Sequence, residues 1–199
     1  MKKVLHVGCG RKSIVGHFGV FRAGEWAETK LDIEPSVEPD IVASMTDMAM
    51  VADASHDAVF SSHNLEHLFP HELRLALEEF RRVLTSGGFL LVLVPDIQKA
   101  AAAIAAGDWH RALYESDSGP ITPLDVLYGH RASIARGQPH MAHRNGFVIS
   151  SLLASLEAAG FAGVHAKRSA YDLVAMAYKD RRPAESPYLN GLWAPAPTP

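Results

Sequence analysis

Two glycines one residue apart, Gly8 and Gly10, close the short apolar run Val4-Leu5-His6-Val7, and Asp32 stands 22 positions after Gly10. Glycines let a backbone turn tightly and approach a ligand, and an acid ending the next strand accepts from ribose hydroxyls. That is chemistry for holding a nucleotide-like ligand. A dinucleotide site would place a third glycine at position 13, where Ser13 stands instead. Gly16, Gly19 and Gly24 follow, so the helix whose N-terminus receives a pyrophosphate is expected to be short or absent. An adenosine ribose without phosphates needs no such helix.

Other reactive side chains group in two places. His63-Asn64-Leu65-Glu66-His67 matches the H-x-x-E-H pattern of an inverted zinc protease. It follows an apolar strand directly and Pro70 comes three residues later, which suits a loop and a short turn rather than a zinc-binding helix. Glu66 and His67 then tie the strand end to the next helix, with a general-base role for His67 as the alternative. His140-x-x-His143, with His130, has metal-ligand spacing but neither cysteine nor an obvious acidic partner, so no metal is expected. Cys9, between the two glycines, reads as a small packing residue rather than a nucleophile.

These residues need elements to position them. Strand-like segments recur at Lys3–Val7, Thr29–Ile33, Pro39–Ala43, Asp57–Phe60 and Gly88–Val94, the last continuous and apolar as a doubly buried strand should be. Pro70–Leu84 repeats Leu73, Leu77, Phe80 and Leu84 on one helical face, with Pro70 in its first turn and Gly87-Gly88 closing it. Ser150–Ala159 is a second amphipathic helix stopped by Gly160, and Val164–Arg168 and Asp172–Tyr178 read as closing strands. This order predicts an α/β domain, a doubly wound, mainly parallel sheet with ligands at the carboxyl ends of its strands. Gly107 to Asn145, rich in Pro, Gly, His and Arg, is too long for an ordinary loop and is expected to be an inserted lid or acceptor segment within a single domain over residues 1–180. Residues 181–199 form a Pro-rich tail whose Tyr188, Leu189, Leu192 and Trp193 suit docking on the body or on a second subunit, so a homodimer is one assembly to expect.

Composition excludes several classes. At 199 residues and 48% hydrophobic content the chain can bury a core. A net charge of −3 gives no basic stripe for nucleic acid. Phe89–Val94, the longest strongly apolar run, is far short of a membrane span, and one cysteine makes no internal disulfide. A soluble, cytoplasmic protein is expected.

Taken in order, Val4–Gly10, Leu31-Asp32-Ile33, Pro39–Val42 leading to Thr46-Asp47-Met48, Asp57–His67, Arg82–Gly88, Val94-Pro95-Asp96 and Leu156–Phe161 resemble the class I S-adenosylmethionine-dependent methyltransferases, in particular the type 11 methyltransferase domains. The resemblance runs over roughly residues 3 to 178. It implies a Rossmann-like seven-stranded sheet with the last strand antiparallel, and S-adenosylmethionine as cofactor. It further implies that Gly8 and Gly10 approach the methionine part, that Asp32 beside Ile33 takes both ribose hydroxyls, that Asp47 and Met48 bracket the adenine, and that Ser62 and His63 close the site. His6 departs from the pattern, standing where many relatives have an acid; Arg11 or Lys12 is the alternative holder of the donor carboxylate. The implied function is methyl transfer to a small polar acceptor by in-line displacement. Tyr128, His130, Arg131, His140 and Arg144 are its acceptor-side candidates, and His67 and His143 its candidate bases. A non-catalytic module that binds the same adenosyl ligand is the alternative.

Overall fold

The computed structural model describes residues 1–116 and 118–180. In chain order the strands are β1 (Lys2–Val7), β2 (Trp26–Asp32), β3 (Ile41–Val42), β4 (His56–Ser62), β5 (Leu84–Pro95), β6 (Tyr114–Ser116), β7 (Gly119–Ile121), β8 (Ala162–Ser169) and β9 (Asp172–Tyr178). The helices are α1 (Pro70–Val83), α2 (Ile97–Ala105), α3 (Pro123–Tyr128), α4 (Arg131–Ala135) and α5 (Ile149–Ala158). Seven strands make one sheet in the order β3-β2-β1-β4-β5-β9-β8, and β6 pairs with β7 in a separate hairpin. β1, β2, β3, β4 and β5 run parallel, while β9 is antiparallel to both its neighbours. This is the sheet expected, last strand included. Among the described residues, no helix is long and apolar enough to cross a membrane.

The order reverses between β1 and β4, so their carboxyl ends open a crevice there. β5 is central and buried on both faces: Leu90, Val92 and Val94 join one core cluster, Phe89 and Leu91 the other. α1 lays Leu73, Ala76, Leu77, Phe80 and Val83 on the first cluster, and α5 adds Leu152 and Leu156. The opposite face receives no helix from the β1–β2 connection, in line with the glycines at 16, 19 and 24. Ile14, Val20, Phe21 and Trp26 pack there instead. Phe21 meets Trp26 edge-on at 5.1 Å and lies parallel to Phe89 at 6.4 Å, so rings do the covering that a helix usually does.

Two boundaries differ from expectation. Gly87-Gly88 lies inside β5 and does not close α1: the helix stops at Val83 because Leu84 is already extended and paired with His56. α2 has no counterpart in the sequence reading, because Gln98–Ala105 is mostly alanine and buries only Ala100, leaving no apolar period to detect. Its start is set by Asp96, whose Oδ1 accepts from Gln98 N at 3.0 Å while Arg168 Nε donates to Oδ2 at 2.8 Å.

The 107–145 segment holds the β6–β7 hairpin, α3 and α4. Thr122 and Asp125 cap α3 reciprocally, and Arg131 Nε donates to Asp125 Oδ1 at 3.0 Å. Burial pushes the Asp125 carboxyl up, but the bonds from Arg131 and Thr122 outweigh it and hold the group at about 2. The tail residues Tyr188, Leu189, Leu192 and Trp193 lie outside the described residues.

Candidate functional site

Gly8 and Gly10 turn the chain at the end of β1, both in the left-handed region, at φ 66° and 53°. Gly10 N donates to Asp32 Oδ2 at 2.8 Å, and Glu34 N donates to Oδ1 at 3.0 Å. Each carboxylate oxygen keeps a further electron pair for a ligand, and the two N–H groups fix where it points. Ile33, 66% exposed beside Asp32, gives this edge an apolar surface. Asp47 is exposed nearby in the chain after β3, with Oδ1 accepting from Ala49 N at 3.3 Å.

Met48 is a correction to the expected placement. Its side chain is fully buried in the α1-side core, and its N–H donates to Glu79 Oε2 at 2.7 Å. No helix joins β3 to β4, so Met48 and Val51 plug the core themselves, and Arg82 clamps the turn through the Met48 and Val51 carbonyls. The exposed apolar side chain at this edge is Ile33, not Met48.

Two residues outside the sequence-based set shape the glycine turn. Glu28 accepts from Ile14 N at 3.2 Å, is hydrogen-bonded to Ser13 Oγ, and meets His6 Nδ1 at 2.8 Å. Burial lowers the His6 pKa despite this partner, whereas at Glu28 the bonds from Ser13 and His6 outweigh burial and lower the carboxyl. A carboxylate from the adjacent strand therefore stands against His6. Its signal was present: Glu28, Lys30 and Asp32 share one strand face by the period of two. Asn64 is the other, donating through Nδ2 to Val7 O, Ser62 O and Ser61 Oγ at 2.9–3.2 Å and lying against Gly8. Arg11 donates to Ser36 O at 3.1 Å and is exposed.

Cys9 lies buried between the glycines, and burial, reinforced by Asp32, pushes its thiol up to about 11. Only the thiolate reacts with alkylating agents, so about a thousandth of the groups are reactive at pH 8. Alkylation of the folded protein, followed by mass spectrometry, is expected to accelerate about tenfold per pH unit from pH 8 to 10, while the unfolded chain levels off near its ordinary pKa of about 8.5.

Beyond Ser62 the chain enters a single 3-10 turn, Leu65–His67, and not a long helix. His63 sits between two carboxylates, with Nδ1 3.5 Å from Glu66 Oε1 and Nε2 3.6 Å from Asp172 Oδ2. Burial opposes its charge, but contacts with Asp172 and Glu66 prevail and raise its pKa. Burial likewise pushes Glu66 up, and the His63 ring more than offsets this, leaving Glu66 ionised.

The 107–145 segment is fastened to this turn by main chain. Arg144 N and Asn145 N donate to Glu66 O at 2.8 and 3.1 Å, and His143 N donates to Tyr128 O at 3.1 Å. His67 and His143 are thereby brought ring to ring, with centroids 5.0 Å apart. A cavity of about 240 Å³ lies between the sheet edge and the insert, lined by His63, Glu66, His67, Tyr114, His130 and His143 among others. Of the other acceptor-side candidates, Tyr128 is 61% exposed, Arg131 is committed to Asp125, and Arg144 stacks on Phe69 at 4.8 Å. None of these three lines the cavity, nor does the exposed His140. His130 does, although its Nδ1 bonds Ser133 Oγ at 2.8 Å. Glu34, two residues after Asp32, is held low chiefly by bonds from Ser36.

Residues 5–92 match a family model described as a methyltransferase domain. No curated protein matches the chain in sequence. Among solved structures, a SAM-dependent methyltransferase from Archaeoglobus fulgidus is similar at TM-score 0.57 and 16% identity, with 89% of this chain and 86% of that one covered. A Burkholderia thailandensis 1,6-didemethyltoxoflavin-N1-methyltransferase, solved with 1,6-didemethyltoxoflavin and S-adenosylhomocysteine, aligns at TM-score 0.57 and 18% identity over 90% and 71%. A putative methyltransferase from Bacillus halodurans gives 0.55 and 17% over 90% and 93%.

Proposed function

We propose that the chain transfers the methyl group of S-adenosylmethionine to a small polar acceptor, because residues 5–92 match a methyltransferase-domain model and the fold is similar to that of S-adenosylmethionine-dependent methyltransferases. The observation that carries this reading is the meeting of two sites at His63. On one side stand the glycine turn and the Asp32 carboxylate held by two N–H groups. On the other, one residue beyond Ser62, opens the cavity between the Glu66–His67 turn and the insert.

Gly8 and Gly10 admit the methionine part, Asp32 takes the ribose hydroxyls, Ile33 lies against the adenine and Asp47 accepts from its amino group. Ser62 and His63 close the donor side. The 107–145 insert is the lid, with His130 in the acceptor cavity; Tyr128, Arg131, His140 and Arg144 lie outside that cavity. The acceptor atom attacks the sulfonium methyl in line, the carbon–sulfur bond breaks, and S-adenosylhomocysteine leaves as a neutral thioether. The protein supplies alignment and a water-poor pocket. Where the acceptor is a hydroxyl, its proton passes to His67 or His143. Both rings donate through Nδ1 to a backbone carbonyl, which leaves Nε2 as the basic nitrogen. Burial keeps His143 below its ordinary pKa, hence neutral and able to accept.

Calorimetry is expected to give micromolar binding of S-adenosylmethionine and S-adenosylhomocysteine and none of NAD. The absence of adenosyl binding by the folded protein overturns the assignment. His143→Ala is expected to lower S-adenosylhomocysteine formation by about 10² to 10⁴ with donor affinity unchanged. Intact turnover in that variant removes His143 from the base role. The non-catalytic alternative drew on His6 lacking an acid, and Glu28 beside His6 weakens that ground.

A further inference from the structure

We propose that Glu66, His67 and His143 bind one divalent transition-metal ion, with zinc favoured by the donor set. Each offers a ligand atom, and these atoms all lie within 4.8 Å of one another. Two ligands on a tetrahedral zinc stand roughly 3.4 Å apart at bond lengths near 2.1 Å, so side-chain rotation of about an ångström closes the set.

The argument rests on where the protons are. His67 Nδ1 lies 3.2 Å from Ala142 O, and His143 Nδ1 lies 2.9 Å from Val126 O. A carbonyl only accepts, so each Nδ1 carries the proton and each Nε2 carries an electron pair. Glu66 is 1% exposed, and neither carboxylate oxygen has a hydrogen-bond partner. Three electron-pair donors thus converge with no proton between them, one of them a buried anion. An unbonded buried polar group costs free energy that proteins normally avoid. A cation answers all three at once. The carbonyl–imidazole pairs are also the arrangement that orients metal-binding histidines.

The competing explanation makes Glu66 only a counter-ion for His63. That contact, at 3.5 Å, reaches Oε1 only and leaves Oε2 buried without a partner. The ligands come from two segments fastened together by the Arg144 N and Asn145 N bonds to Glu66 O, so their proximity does not depend on a metal. Two histidines and one carboxylate leave a coordination position open, and the cavity lies beside it, as in catalytic rather than structural zinc sites. Neither a cysteine nor an acid accompanies His140 and His143 in the sequence; the acid is Glu66, from the other side of the cavity.

Metal binding stands on coordination alone. With the ion bound, both Nε2 atoms are ligands and neither ring acts as the base; the ion's use, presenting an acceptor oxygen to the donor, rests on the methyl-transfer reading. The chelator-treated full chain is titrated calorimetrically with Zn²⁺, and with Co²⁺ by visible absorption. One equivalent is expected at micromolar affinity or tighter, with a ligand-field band for Co²⁺. Glu66→Gln and His143→Asn should each weaken binding about a hundredfold or more, while His140→Ala, at an exposed histidine, should not. Near-UV circular dichroism checks folding, and His143→Asn carries the test should Glu66→Gln unfold. The proposal is overturned by no stoichiometric uptake in the wild type, or by uptake that these two substitutions leave unchanged. S-adenosylmethionine binding, measured separately on metal-free protein, tests the donor site without touching this result.

Discussion

Asp32→Ala is expected to weaken S-adenosylmethionine binding by about 10² to 10⁴, read by calorimetry. Two hydrogen bonds from ribose hydroxyls to a carboxylate contribute roughly 1.5–3 kcal/mol each, and each 1.4 kcal/mol is a factor of ten. The variant also releases Gly10 N and Glu34 N, which now donate to the two carboxylate oxygens, so the glycine turn loses its anchor. Asp32→Asn separates the two contributions. It keeps the side-chain volume and one acceptor oxygen, and is expected to fall between wild type and alanine. An affinity unchanged in Asp32→Ala places the ribose elsewhere and removes the main support for the donor site.

The second large effect falls on Gly8. A Cβ there would lie 2.1 Å from Asn64 Oδ1, in a backbone at φ 66°. The left-handed conformation costs a non-glycine residue about 1–2 kcal/mol. Displacing Asn64 endangers the bonds that its two Nδ2 protons share among three acceptors, each proton contributing about 0.5–1.5 kcal/mol. Gly8→Ala should therefore destabilise by about 3 kcal/mol and lower the melting temperature by about 6–12 °C. Gly10→Ala is the control. Gly10 has φ 53°, but a Cβ there meets nothing within 4 Å, so only the backbone cost of about 1 kcal/mol and about 2–4 °C applies. Equal losses in the two variants would mean that Asn64 does not hold the turn.

Several features were legible before any coordinates because their causes are local. The Gly8–Gly10 turn, the acid at the end of β2, the apolar face of α1 and the doubly buried run of β5 each declare themselves within a few residues. So did the missing first helix, since three glycines between 16 and 24 leave too little helical preference to form one. Met48 shows the limit. An apolar residue next to an exposed acid reads equally well as a ligand contact or a core plug, and only the absent β3–β4 helix decides for the core.

By itself the sequence determined the sheet, its switch point and the residue types at the carboxyl ends of β1 and β2, because periodicity and turn chemistry act over one element. What the cavity beside Glu66 can do was decided by tertiary structure. His67 owes its Nδ1 proton to the carbonyl of Ala142, 75 residues away, and His143 owes its own to Val126. The Glu66 carbonyl draws the two segments together, leaving its buried carboxylate facing two imidazoles. No spacing in the chain encodes that, because a hydrogen bond depends on distance in space and not on separation in sequence.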